Sequence, residues 1–168
     1  MSKNSELHKK ICAVNLYQKS ALEYGETYRE HFLEQYKVAI EGLDYTSKWK
    51  HIVNNYFLTI HTALLAGISL SVTRTDMSLA ILTHDVIPFV GAGIALSWFI
   101  TIRGYNEVLA TKFSILHCIE TELPLALYAT EWEILNASYK NPHRAARIDP
   151  LVPLFFVIFY IAIFLFVK

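Results

Sequence analysis

HIVNNYFLTIHTALLAGISLSVT, residues 51–73, contains no Asp, Glu, Lys or Arg over 23 positions. A helix needs roughly 20 such residues to cross the hydrocarbon core of a bilayer. The stretch is not uniformly apolar. Asn55, Thr59, Thr62, Ala66, Ser69 and Thr73 recur at steps of four, three, four, three and four, which places them on one stripe of a helix. Each is small or polar. In one reading the stripe is a packing seam, where small residues let helices approach and hydroxyls bond across. In the other, several copies of the helix turn it toward a polar pore. Both readings stay open, and they coexist in an oligomer. His61 falls off the stripe and reads as a neutral histidine bonded to a neighbouring helix.

Two further runs flank this one. Residues 77–102 carry Asp85 as their one charge, and Pro150–Val167 gives 18 uncharged residues that are nearly all Leu, Ile, Val or Phe. The expectation is three transmembrane helices, near 53–73, 82–102 and 151–167. Gly91/Ala95 and Gly93/Ser97 in the second are small-x-x-x-small pairs, a packing signature. The Gly-Ala-Gly follows no strand and is not a nucleotide loop. Pro88 is expected to kink the span or mark its early turn. His84 and Asp85 lie at the outer mouth, as an ion-gathering ring or an interfacial cap. The third run is aromatic and almost without polarity, as suits an outer, lipid-facing helix.

The rest of the chain is amphipathic. Tyr28, Phe32, Tyr36, Ala39 and Leu43 keep a three- and four-residue period, with Arg29, Glu30, Glu34, Lys37 and Glu41 filling the opposite face. No proline lies between Ala21 and Pro88, so one helix is expected from about residue 20 to Thr73, with Gly42 its soft point. Leu109, Phe113, Leu116 and Leu123 form a second stripe, and Pro124 suits the first turn of a further helix, Pro124–Leu135. Asn136–Asp149 reads as a connector. The fold class is therefore all-α: three membrane helices with a cytoplasmic helical bundle, homo-oligomeric. The segments are 1–50, 51–73, 82–102, 103–149 and 150–167.

Lys and Arg set the orientation. Eight precede the first span and five lie between the second and third, so 13 of 15 share one side. The N-terminus is expected in the cytoplasm and the C-terminus in the periplasm. No secretory signal precedes the first span. With 15 acidic and 15 basic residues, 54% hydrophobic and 18% charged among 168 residues, the chain is neither a basic nucleic-acid binder nor an acidic tail. Cys12 and Cys118 make no disulfide framework and no zinc-ligand spacing. No hydrolase, Walker or metalloprotease motif is present, so neither enzymatic activity nor a cofactor is expected. His117, Cys118, Glu120 and Glu122, with Glu131 and Glu133, read as an acidic face rather than a metal site. Lys48, Lys50 and His51, and Lys140, Arg144 and Arg147, suit anionic lipid. The competing reading has them collect a nucleotide or oligonucleotide made by a partner enzyme.

The stretches YFLTIHTALLAG (56–67) and KFSILHCIETELPLALYATEWEIL (112–135) resemble the RipA-type small bacterial membrane proteins, over roughly residues 25–168. The resemblance rests mostly on Leu123–Glu133 and implies an oligomer, up to an octamer, in the inner membrane. The layout is also similar to the SLATT-type transmembrane effectors of anti-phage systems, which implies a pore opened by a nucleotide signal. The leading expectation is thus a homo-oligomeric inner-membrane channel, tetramer to octamer, acting as a defence effector. The alternative is a non-conducting scaffold or regulator of envelope enzymes.

Overall fold

The computed structural model describes residues 16–72, 86–138 and 148–166. Every regular element among them is a helix: α1 (Ala21–Tyr24), α2 (Tyr28–Val72), α3 (Ile87–Glu120), α4 (Leu127–Ser138) and α5 (Leu151–Phe166). The long helix expected from residue 20 starts instead at Tyr28. Ser20 and Glu23 form a capping box, with the Glu23 amide donating to Ser20 Oγ at 3.3 Å and the Ser20 amide to Glu23 Oε2 at 3.1 Å. Gly25 then takes φ +94°, a conformation that side chains disfavour and that ends α1 after one turn. From Tyr28 the chain runs 45 residues without a break.

The chain forms two compact units, one of Met1–Lys48 with Glu107–Pro142 and one of Trp49–Asn106 with His143–Lys168. In the first, Leu43 is buried and Tyr28, Phe32, Tyr36 and Ala39 are half-buried. Arg29, Glu30, Glu34, Lys37 and Glu41 are exposed, as the periodicity requires. Gly42 is braced from α3: Lys112 Nζ donates to its carbonyl at 2.6 Å and to Thr46 Oγ1 at 2.7 Å. Cys118 is buried and disulfide-bonded, where the sequence offered no disulfide framework.

The helix expected at Pro124–Leu135 begins three residues later, at Leu127. The reason is Glu120, which is 1% exposed. Its Oε1 accepts from the Tyr128 amide at 3.0 Å and from Tyr36 Oη at 3.0 Å, and its Oε2 from the Ala129 amide at 2.9 Å. A helix start leaves such amides without intrahelical partners, and a carboxylate there also complements the helix dipole. Glu120, expected on a solvated acidic face, is the buried cap of α4.

In the second unit the core is Gly91, Ala95, Trp98 and Ile102 of α3, His61 of α2, and Pro153 and Tyr160 of α5. Pro88 stands in the first turn of α3, where its missing N–H costs nothing. Among the described residues, α3 is the one helix long and apolar enough to cross a membrane; α5 is apolar but shorter. The described 16 residues of α5 extend only about 24 Å. The uncharged part of α2 owes its lower hydropathy to Asn54, Asn55, Thr59, His61, Thr62 and Ser69.

Candidate functional site

The uncharged half of α2 has two unlike faces. On the inner one, His61 is fully buried. Its ring stacks on Phe156 with centroids 4.6 Å apart and on Trp98 at 5.6 Å. Its Nδ1 lies 3.1 Å from Tyr160 Oη, and its Nε2 has no hydrogen-bond partner among the described residues. About two turns earlier, Asn54 Oδ1 accepts from Trp98 Nε1 at 2.8 Å. Trp98 also stacks on Phe57 at 5.7 Å. Three helices therefore meet through uncharged polar groups and rings, as expected for His61. Gly91 makes this possible: a Cβ there would fall 2.6 Å from Tyr160 Cζ. The Gly91/Ala95 pair thus seats α5 on α3, while Gly93 and Ser97 are exposed, with nothing within 4 Å of a Cβ at Gly93.

The outer face carries the sequence stripe. Asn55, Thr59, Thr62, Ala66 and Ser69 are all exposed; Thr73 lies outside the described residues. The hydroxyls of Thr59, Thr62 and Ser69 donate to the carbonyls of Asn55, Leu58 and Leu65 at 2.8, 2.8 and 3.0 Å. Such back-bonding satisfies a hydroxyl proton without water. Tyr56, Leu58 and Leu70 beside the stripe are also exposed, at 63%, 46% and 70%. Polar and apolar side chains thus share this exposed face.

The basic groups divide. Lys50 is ion-paired with Asp149, and Lys48 lies 2.6 Å from Asp44 in an exposed pair one helical turn apart. Lys50 thus has a carboxylate partner within its own unit, and Lys48 one on its own helix. His51 is exposed. Lys140, Arg144 and Arg147, and His84 and Asp85 at the outer mouth, lie outside the described residues.

Sequence reasoning missed two things. The capping box Ser20-Ala21-Leu22-Glu23 ahead of Gly25 was readable as a short helix and stop. The role of Glu120 left no local trace, since its partners are Tyr36, Tyr128 and Ala129. Burial, and next the hydrogen bond to Glu120, push the Tyr36 phenol up to about 12.

Among the described residues every regular element is a helix, one helix is able to span a bilayer and a polar stripe is exposed, features that fit the class of helical membrane proteins that self-associate. Residues 33–167 match the octameric membrane protein family (8xMP), and the chain belongs to that family. No curated protein and no solved structure matches it.

Proposed function

We propose that the protein is a homo-oligomeric inner-membrane channel in which α2 lines the conducting path, with Asn55, Thr59, Thr62, Ala66 and Ser69 facing it. One observation carries this reading. The face of α2 bearing these residues is exposed, while the opposite face is packed on Trp98, Phe156 and Tyr160 through His61 and Asn54. The uncharged part of α2, the first turns of α3 and α5 would be the three spans. Reconstituted in liposomes, the protein should conduct, and Thr62→Leu or Ser69→Leu should abolish conductance while the oligomer still elutes intact. Unchanged currents would refute the pore.

The back-bonded hydroxyls favour a second reading, because a satisfied hydroxyl also suits a dry seam between copies. The protein would then be a non-conducting scaffold, and wild-type liposomes would stay silent. The resemblance to transmembrane effectors supports a defence role, in which opening dissipates the membrane potential and arrests growth. For orientation, the basic-residue count supports a cytoplasmic N-terminus. The disulfide at Cys118 supports the reverse, since disulfides persist in oxidising compartments. A C-terminal alkaline phosphatase fusion should be active; an inactive one would reverse the orientation.

A further inference from the structure

Within the first unit, the segment before α1 folds back beside the start of α2. The reversal is made by the capped turn of α1 and by Gly25. Between segment and helix lies a cavity of about 400 Å³ lined by Leu16, Tyr17, Gln18, Lys19, Tyr24, Tyr28, His31, Phe32, Gln35, Tyr36 and Ile119. Its walls are rings. Tyr17 stacks on Phe32 with centroids 6.3 Å apart, and Phe32 on Tyr28 at 5.8 Å. Tyr24 stands edge-on to His31 at 5.7 Å.

The rings are held in place from behind. Tyr17 Oη donates to the Cys118 carbonyl at 2.9 Å, Tyr36 Oη to Glu120 at 3.0 Å, and Tyr24 Oη lies 2.8 Å from His31 Nδ1. Walls fixed in advance lose little freedom when something binds. The rings are nevertheless open to a ligand: Tyr17 and Tyr24 remain 37% and 41% exposed. A pocket of this volume, walled by rings and edged with polar groups, has the character of a small-molecule site.

The lining also selects charge. Among the described residues it contains Lys19 and His31, while the carboxylates near it, Glu120 and Glu122, lie beside Tyr36 and Tyr17 and outside the lining. When Tyr24 donates to Nδ1, the imidazole proton sits on Nε2 and makes a second donor. Gln18 and Gln35 supply neutral amides. A cation would meet the Lys19 ammonium in the wall itself, whereas an anion is matched there.

We propose that this cavity binds a small planar aromatic anion, its ring laid against the tyrosines and Phe32 and its charge on Lys19. The anionic group is a carboxylate or a phosphate. This inference is independent of whether the protein conducts.

The test is calorimetric titration of the detergent-solubilised full chain with 2-naphthoate and, separately, adenosine monophosphate. The first carries the charge as carboxylate, the second as phosphate. Saturable binding of either is expected, and the tighter one names the group. Inorganic phosphate, an anion without a ring, and 2-naphthylmethylammonium, a ring with the opposite charge, should bind at least about tenfold more weakly. Lys19→Gln, at an exposed position, should weaken the ringed anion about tenfold with helix content unchanged. Phe32→Ala should do the same, and if it fails to fold, Lys19→Gln still tests the site. Binding of the cation as tight as the anion, binding unchanged by Lys19→Gln, or no binding of either ringed anion would overturn the proposal.

Discussion

The two units solve the same problem, joining long helices, with different chemistry. In the first, the cross-links are charged. Glu120 gathers two amides and a phenol, and Lys112 braces the Gly42 turn. In the second, the interior links are neutral: a histidine on a tyrosine, an asparagine on a tryptophan, and rings on rings. An ion pair of that unit, Lys50–Asp149, joins residues that border the uncharged runs. Arg103, which closes the second run, lies over the Phe99 ring at 5.6 Å. Water tolerates a charge that is briefly unpaired and lipid does not. The two units thus differ in the kind of group that links their helices.

The sharpest way to break this contrast is steric. Gly91→Leu should displace Tyr160, unseat α5 and cost more than about 3 kcal/mol, by analogy with overpacked cores. Gly93→Leu two residues away should leave the protomer's own packing intact, because nothing stands within 4 Å of its Cβ. If it instead disperses the oligomer on size-exclusion chromatography, Gly93/Ser97 is the seam between copies. Equal loss of helix content in both variants would show that α5 does not depend on Gly91.

Next comes the charged link. Glu120→Ala leaves two amides and a phenol without their acceptor, and should destabilise the first unit by about 2–4 kcal/mol. Hydrogen exchange should quicken first at Tyr128 and Ala129. Exchange unchanged there would mean that α4 is held by its apolar side alone.

How much of this was legible divides along the same line. The helices, the charge-free runs and the Tyr28–Leu43 face were readable because each is a property of period and neighbour. The partner of His61, the capping role of Glu120 and the brace of Lys112 on Gly42 were not. His61–Tyr160, Tyr36–Glu120 and Lys112–Gly42 join residues 99, 84 and 70 positions apart, and no local pattern encodes such pairs. The start of α4 was misplaced for another reason: Pro124 fits a first turn, but the Glu120 cap acts on Tyr128 and Ala129, eight and nine residues on. Of the candidate stripe, composition gave the members, and only the packed opposite face showed that the stripe is bared.

Smaller effects sharpen the comparison further. Tyr160→Phe removes one neutral hydrogen bond from His61 and should cost about 1 kcal/mol in a detergent melt. Tyr36→Phe should cost a similar amount at neutral pH. Its signature is pH dependence. The Tyr36 phenol is raised from 10.0 to about 12, so its contribution is fully present below pH 10 and is lost as pH rises toward 12. Wild type and Tyr36→Phe should therefore converge in stability across that window. A constant gap would mean that the phenol does not titrate with the fold.

The hydroxyls of Thr59, Thr62 and Ser69 each spend their single proton on a carbonyl of the same helix. Outward they show only oxygen lone pairs and, on the threonines, methyl groups. Whatever meets those three groups meets acceptors. They can strip part of the water from a cation, or receive the proton of a neighbouring copy's amide or hydroxyl. To an anion they offer nothing.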